Sequence, residues 1–248
     1  MRDITAAILV IGDEILSGRT KDKNIGYIAE SFSKIGVYCK EVRIVPDHEE
    51  RIISALNELR NTYTYVMTTG GIGPTHDDIT ADCVAKAFNI GISENEDAIN
   101  MLLERIPLED LNESRRRMAR IPHGAKLIEN AVSKAPGFQV GNVFVMAGVP
   151  AVMQAMLDVV MTRIDKGQKL FTCSISTNIK EGDIADKLRD IQENNPTVMI
   201  GSYPYYTDDG YGANIVCRGK NLDELRNIAS IIENSLSAIG NVIVGDIE

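Results

Sequence analysis

The sequence has 248 residues, of which 26 are Lys or Arg and 35 are Asp or Glu, so its formal net charge is −9. This acidity argues against binding to nucleic acid or to an anionic membrane surface. No apolar run approaches the roughly 20 residues that cross a bilayer, and the N-terminus lacks a signal-peptide layout. The four cysteines stand far apart without a C-x-x-C pair, which predicts neither disulfides nor a zinc site and fits a reducing cytoplasm.

Short β-rich runs alternate with helical periodicity over the first half of the chain. This alternation predicts parallel strands, right-handed crossovers and helices on both faces of one sheet. We therefore predict a three-layer, Rossmann-like α/β domain with a mainly parallel sheet. The predicted strands are residues 4–11, 37–45 and 65–69, and the predicted helices are residues 24–35, 47–60 and 79–88.

The second half of the chain continues this pattern and then changes it. Two helices separated near Pro107 are expected between residues 95 and 119, followed by strands at 126–128 and 143–146 and a helix from Pro150 to about Arg163. Residues 165–168 form the predicted boundary. Beyond them the order strand, helix, strand, strand, helix, strand predicts a small α+β domain. The predicted domains are residues 1–166 and 167–248.

A glycine-rich segment, TTGGIGPTHDDIT, runs from Thr68 to Thr80 between a predicted strand and a predicted helix. Its three glycines let the backbone approach a ligand closely, with N–H groups free to hold phosphate oxygens. Of the two aspartates that follow, Asp78 is the expected ligand or metal residue. The simpler alternative is a tight turn in which Asp77 or Asp78 caps the helix. The segment lacks both the P-loop lysine and the G-x-G-x-x-G spacing of a dinucleotide fold.

A second polar segment, GDEILSGRTKDKN, follows the first predicted strand. In open α/β sheets ligands bind beyond the carboxyl ends of the strands, so this segment is expected to face a polar ligand. For two of its residues an alternative stays open, in which Asn24 caps the next helix and Asp22 is a solvated loop residue. The expected ligand-facing side chains are Asp13, Glu14, Ser17, Asp22 and Asn24.

Together these two segments resemble the molybdopterin-binding domain superfamily of the MoaB and Mog type. They are more closely similar to the N-terminal region of the competence/damage-inducible CinA family, because the extension P-T-H-D-D-I-T is typical of that branch. The resemblance continues through Asn130, residues 135–138 and residues 148–150, and covers roughly residues 1–165. The tail resembles the KH-like domain of CinA proteins but has no G-x-x-G loop, so RNA binding is not expected. The family's deamidase domain has no counterpart up to Glu248, and that activity is not expected either.

The resemblance implies a small phosphorylated ligand bound together with a divalent metal ion, Mg²⁺ or Co²⁺. One implied activity is hydrolysis of a nucleotide pyrophosphate of the ADP-ribose or FAD type, with Asp78, Asp13 and Glu14 as catalytic residues and Asp78 and Asp13 as metal ligands. The alternative is non-catalytic or adenylylating binding of molybdopterin or a related pterin or nucleotide. A homo-oligomer is also expected by resemblance. The implied ligand-binding residues are Thr69, Gly70, Gly71, Gly73, Ser17, Asp22, Asn24, Pro136 and Gly137.

Two loops depart from the family pattern. Ser133 stands where a glycine is usual, and Ala151 and Val152 stand where an acidic residue is usual. Both loops are expected near the ligand, so the departures favour the binding alternative. The run of arginines at residues 115–117 is expected to form a solvated helix face beside Glu113. In a second interpretation, one of these arginines reaches the ligand phosphates.

Overall fold

The computed structural model describes residues 3–207 and 210–247, which divide into one compact unit ending at Gly167 and a second beginning at Gln168. Each unit is described by itself. No helix among the described residues is both long and apolar enough to cross a membrane.

The first unit contains eight strands and seven α-helices among its described residues. Its strands are β1 (Thr5–Ile11), β2 (Tyr38–Val45), β3 (Tyr65–Thr69), β4 (Ile92–Glu94), β5 (Arg120–Pro122), β6 (Lys126–Ile128), β7 (Gly137–Val140) and β8 (Val143–Met146). Its helices are α1 (Asp13–Leu16), α2 (Asn24–Lys34), α3 (Glu49–Thr62), α4 (Thr80–Ala87), α5 (Glu96–Leu103), α6 (Glu113–Arg116) and α7 (Pro150–Met161), with 3-10 turns at Leu108–Asp110 and Arg117–Ala119.

The central sheet has six strands in the order β2-β1-β3-β8-β7-β6. The first four are parallel to one another. At the other edge β7 pairs antiparallel with β8, and β6 pairs antiparallel with β7. Strand β1 is buried on both faces from Ala6 to Ile11, as its continuous apolar run predicts. Helices α3 and α4 contribute to the apolar core on one face, and α2 and α7 to the core on the other. The predicted three-layer α/β fold with a mainly parallel sheet is confirmed.

The connections from β1 create a crevice at one edge of this sheet. The chain leaves β1 and returns to β2 on one side, whereas β3 lies on the other side of β1. Loops that leave the carboxyl ends of β1 and β3 therefore diverge to opposite sides, and ligands bind in such crevices of open α/β sheets.

The segment between residues 95 and 119 differs from the prediction of two helices. Only α5 is a regular helix of two turns, and it begins where the Asn95 side chain accepts a hydrogen bond from the Ala98 N–H at 2.9 Å. A second helix begins after Asn112, whose side chain accepts a hydrogen bond from the Arg115 N–H at 3.0 Å. The helix it begins, α6, is only four residues long. It gives way to a 3-10 turn because the chain continues into β5, which pairs antiparallel with β4.

The second unit follows the predicted order of elements. It consists of β9 (Phe171–Thr177), α8 (Glu181–Asn194), β10 (Met199–Thr207), β11 (Gly210–Gly219), α9 (Leu222–Leu236) and β12 (Val242–Ile247). The four strands form an antiparallel sheet in the order β10-β11-β9-β12. Buried and exposed residues alternate along β9, as expected for a sheet with one face on a helical layer. The core of this unit joins α8 and α9 to that face.

Candidate functional site

The loops that follow β1, β3 and β8 meet at the carboxyl edge of the central sheet. The Gly70 N–H donates a hydrogen bond to the Met146 carbonyl at 3.1 Å. The Asn24 side-chain amide donates to the Gly148 carbonyl at 2.8 Å. A Cβ added to Gly148 would lie 3.3 Å from the Gly70 Cα, so the two glycines allow a close backbone approach. The two predicted polar segments therefore lie side by side.

The glycine loop is held in shape by Thr80, the first residue of α4. The buried Thr80 hydroxyl donates to the Gly70 carbonyl at 3.0 Å, and the Thr80 N–H donates to the Gly71 carbonyl at 3.0 Å. Gly70 and Gly71 have φ values of +102° and +68°, a region that favours glycine. Thr80 thus binds the carbonyls of this loop. The N–H groups of Gly71, Ile72 and Gly73 have no acceptor among the described residues. These three donors are available to an anion.

Asp78 lies next to this loop with one carboxylate oxygen fixed and one free. Its Oδ2 accepts a hydrogen bond from the Thr75 N–H at 2.8 Å and lies 2.6 Å from the Thr75 hydroxyl, whose single hydrogen is shared with Asp77 Oδ1 at 2.5 Å. A Cβ on Gly73 would lie 2.7 Å from the same oxygen. Within the described part of the chain, no donor reaches the other oxygen, Oδ1. Asp77 is fully exposed, and the Thr75 hydroxyl lowers the pKa of its carboxyl.

A pocket of about 340 Å³ opens beside the loop, and it is lined by two carboxylates from different segments. Glu14 enters from the loop after β1, and Asp78 enters from the glycine loop. This volume is at the lower end of the range found for small-molecule sites, about 300–1,000 Å³. The remaining wall is mostly apolar. It includes Pro74, Met118, Ala135, Val149 and Val152.

Asp13 and Glu14 are neighbours in sequence but line different cavities. Asp13 is exposed, its N–H donates to Asp47 Oδ2 at 2.9 Å, and it lines an open cleft together with His48. Burial raises the pKa of Asp47; the Asp13 N–H opposes that shift, and the carboxylates of Glu14, Asp13 and Asp77 add to it. The structure thus brings Glu14, but not Asp13, into the pocket of Asp78. The described residues include no group of three or more His, Cys, Asp or Glu side chains arranged to hold a metal ion.

The other polar residues of the first segment shape the site from outside the pocket. Asp22 Oδ1 accepts the N–H groups of Asn24 at 3.1 Å and Ile25 at 2.8 Å, so Asp22 binds the first N–H groups of α2, and Asn24 is the first residue of that helix. Asn24 is buried, and its Oδ1 has no hydrogen-bond partner in the part of the chain that the structure describes. The same is true of the hydroxyl of Thr69. Ser17 is exposed and donates to the Glu14 carbonyl at 3.3 Å.

The loop of residues 130–135 forms another side of the pocket. The buried Asn130 organises it, because Oδ1 accepts the Ser133 N–H at 2.7 Å and Nδ2 donates to the Ala135 carbonyl at 2.7 Å. The hydroxyl of Ser133 also turns inward to Asn130 Oδ1, at 3.1 Å. Pro136 lines a small side recess. Gly137 does not line either cavity, and a Cβ there would lie 2.3 Å from the Val145 carbonyl, so this glycine permits close strand packing.

The side recess, of about 20 Å³, shares Gly71, Gly73 and Asp78 with the wall of the main pocket and is also lined by Arg117. Arg117 Nη2 donates to the Asp78 carbonyl at 3.4 Å. The sequence indicated only that one of three arginines could reach a ligand. The residue involved could not be chosen from spacing, because it depends on which arginines are paired elsewhere in the fold.

Two known families match separate parts of the chain. The family described as "Probable molybdopterin binding domain" matches residues 7–166, more than half of the chain. The chain belongs to this family. The molybdopterin-binding domain thus contains all of the candidate site, and a second family, described as "FAD synthase, middle domain", matches residues 169–242.

The individual relatives relate this molybdopterin-binding domain to CinA. The crystal structure of "the protein CinA with unknown function" from Thermoplasma acidophilum is 32% identical, with a TM-score of 0.62, and the match covers 65% of this chain and 99% of that one. A "CinA-like protein" from Prochlorococcus marinus is 30% identical over 96% of this chain and 59% of its own length. A "Probable FAD synthase" from Caenorhabditis briggsae is 28% identical over 98% of this chain and 51% of its own length. The chain thus spans little more than half of these last two relatives.

Proposed function

We propose that the molybdopterin-binding domain hydrolyses the pyrophosphate bond of a nucleotide of the ADP-ribose or FAD type with the help of a divalent cation. The observation that carries this proposal is one pocket lined by two carboxylates, Glu14 and Asp78, and by the glycine loop at residues 71–73, whose three N–H groups have no acceptor among the described residues. Donors of this kind bind phosphate oxygens, and carboxylates beside a phosphate bind a divalent cation or activate water. The similarity to a CinA-like protein and to a probable FAD synthase supports a nucleotide ligand.

The donor set suits Mg²⁺ better than a cation that needs a complete protein cage. Mg²⁺ is commonly held by one or two carboxylates together with substrate phosphates and water. Glu14 would supply the carboxylate, which leaves Asp78 to accept a proton from water, and a bound pyrophosphate together with water would supply the remaining oxygens. When bound, such an ion would neutralise charge on the phosphoryl oxygens. Asp13 is left out of this set because it lines the neighbouring cleft.

The glycine loop and Asp78 would have different roles in the reaction. The N–H groups of Gly71, Ile72 and Gly73 would hold the phosphoryl oxygens on which charge develops. Asp78, with Oδ2 fixed by Thr75, would accept a proton from water through Oδ1. The water oxygen forms a bond to one phosphorus while that phosphorus loses its bond to the bridging oxygen. The bridging oxygen leaves with the other phosphate, and the accepted proton returns to solvent.

Chromatographic detection of AMP tests this proposal. The full chain is incubated with ADP-ribose or FAD and with Mg²⁺, Co²⁺ or K⁺, and AMP release is expected with the divalent ions. Asp78→Asn should lower the rate by about 10²- to 10⁴-fold, the usual effect of losing a general base. The matched control is Asp77→Asn, an exposed neighbour bonded to the same Thr75 hydroxyl. No AMP under any of these conditions, or equal losses in both variants, would contradict the proposal.

A second pair of variants separates the two carboxylates after β1. Glu14→Gln removes a carboxylate from the pocket, whereas Asp13→Asn changes the neighbouring cleft. We expect Glu14→Gln to raise the Mg²⁺ concentration needed for half-maximal rate and Asp13→Asn to leave it within about twofold. The reverse order would show that the cation is held on the other side of α1.

The second candidate function is binding of molybdopterin or a related phosphorylated pterin without hydrolysis. It is favoured by the apolar wall of Met118, Val149 and Val152, which suits a planar ring. Ser133, with its hydroxyl turned inward to Asn130, adds no charged group to this wall. Saturable binding of molybdopterin, with no AMP released from ADP-ribose or FAD, would select this function.

A further inference from the structure

Four arginines lie close together in sequence beside the site, and three of them are already paired. Arg116 donates to both oxygens of Glu94 at 3.0 and 2.6 Å. Arg120 makes the same two-pronged contact with Asp82, at 3.0 and 2.7 Å. Arg115 donates to the carbonyl of Asp110. The carboxylates therefore neutralise two of these charges, and Arg115 is directed away to the backbone.

Arg117 differs from its neighbours. No carboxylate among the described residues lies within ion-pair distance of its guanidinium, and its Nε is buried without a hydrogen-bond partner. The contact it does make, 3.4 Å from Nη2 to the Asp78 carbonyl, is long for a hydrogen bond. A buried donor on a charged group is costly to leave unpaired. The Nε donor of Arg117 is therefore available to an acceptor that is not among the described residues.

The recess that contains Arg117 limits what that acceptor can be. It measures about 20 Å³, which is room for a group about the size of a water molecule but not for a ring. Gly71, Gly73 and Asp78 line both this recess and the larger pocket, so the two cavities are neighbours. A ligand could thus place one oxygen against Arg117 while its ring stays in the 340 Å³ pocket.

We propose that Arg117 is the residue that binds the charged phosphate of the ligand, one phosphoryl oxygen entering the recess beside the glycine-loop N–H groups. A guanidinium presents a planar fork of N–H donors that matches the geometry of a phosphate. Nε and a terminal nitrogen of Arg117 can therefore both donate to the phosphate. This inference rests on the proposed function only in placing the ligand in the same pocket. It applies equally to a pyrophosphate that is hydrolysed and to a phosphorylated pterin that is only bound.

The test measures binding separately from turnover. Isothermal titration and thermal melting of the full chain are carried out with ADP-ribose and, as a second probe, inorganic pyrophosphate, each with Mg²⁺. Arg117→Gln should weaken binding of both probes by about ten- to a hundredfold, the range for losing hydrogen bonds to a charged group. Arg117→Lys should recover part of the loss, because it restores the charge but not the fork. The matched control is Arg116→Gln, whose guanidinium is paired with Glu94.

The outcomes distinguish this inference from the proposed function. If wild type binds pyrophosphate but releases no AMP, and Arg117→Gln abolishes that binding, the inference holds and hydrolysis is excluded. If wild type releases AMP and a folded Arg117→Gln or Arg117→Lys variant binds both probes like wild type, the inference is overturned. Equal losses in Arg117→Gln and Arg116→Gln would also overturn it, because they would indicate an unspecific effect of positive charge. A wild type that binds neither probe contradicts both proposals.

Discussion

Replacing Gly71 by alanine should reveal how the glycine loop is held. The backbone at Gly71 has φ +68°, and an added Cβ would lie 2.2 Å from the Thr80 hydroxyl oxygen. The left-handed backbone alone costs an alanine about 1–2 kcal/mol. Displacing the Thr80 hydroxyl from the Gly70 carbonyl adds about 1–3 kcal/mol, because a buried acceptor loses its donor. The free energy of unfolding should therefore fall by about 2–5 kcal/mol.

Two reference variants separate these contributions. Gly18 has φ +72° with nothing within 4 Å of an added Cβ, so Gly18→Ala measures the backbone cost alone, about 1–2 kcal/mol. Thr80→Ala removes the hydroxyl that Gly71→Ala would displace. In that background Gly71→Ala should cost only the backbone contribution, which gives a coupling free energy of about 1–3 kcal/mol between the two positions.

Urea unfolding followed by far-UV circular dichroism measures all four variants. Since the chain has two compact units, the transition that Thr80→Ala shifts is the one to compare. The reasoning is refuted if Gly71→Ala costs the same with and without the Thr80 hydroxyl. It is also refuted if Gly71→Ala costs no more than Gly18→Ala, because the space beside Gly71 would then be free.

Three further predictions concern buried polar groups. The pKa of the Asp47 carboxyl is raised by burial. Above that pKa the carboxylate is ionised in the folded protein, and its ionisation lowers the free energy of unfolding. Urea titrations at several pH values should therefore find Asp47→Asn stabilising at pH 7, with the gain shrinking as acid protonates the wild-type carboxyl. Burial raises the pKa of the Cys217 thiol to about 12, so mass-spectrometric mapping should find the partly exposed Cys39 alkylated before Cys217 in the native protein. Finally, Asn24→Asp replaces the donor to the Gly148 carbonyl with a buried charge and should cost at least about 2 kcal/mol at neutral pH. That loss should diminish in acid, and an equal loss at both pH values would contradict the charge argument.

The fold was predictable where its pattern is local and long. The apolar run of β1 extends over a whole buried strand, and the helical periodicity of α3 extends over more than two turns. No single residue decides the predicted secondary structure of such a segment. The short strands β4, β5 and β7 have only three or four residues each, too few for alternation to be recognised. β4 and β5 form because each supplies hydrogen bonds to the other across a long separation in sequence, and β7 forms because it pairs with both β6 and β8.

The site was predictable as far as strand ends determine it. Parallel strands bring their carboxyl ends to one edge, so the glycine loop and Glu14 could be expected to meet. Arg117 could not be chosen over Arg116 from the sequence. That choice depends on Glu94 of β4, which pairs with Arg116 and leaves Arg117 without a carboxylate partner among the described residues.

Asp13 and Glu14 line different cavities because they are consecutive residues of a single helical turn. Residues that follow one another in a helix point about 100° apart, so α1 directs these neighbouring carboxylates to different sides. The Asp47 carboxylate fixes this orientation by accepting the Asp13 N–H at the start of the turn. Glu14 then faces the pocket of Asp78, and its carboxylate lies close to Gly12, where a Cβ would be 2.6 Å from Oε2. A side chain at position 12 would therefore push Glu14 out of place, and Gly12→Ala should impair cation binding even though Gly12 carries no ligand atom of its own.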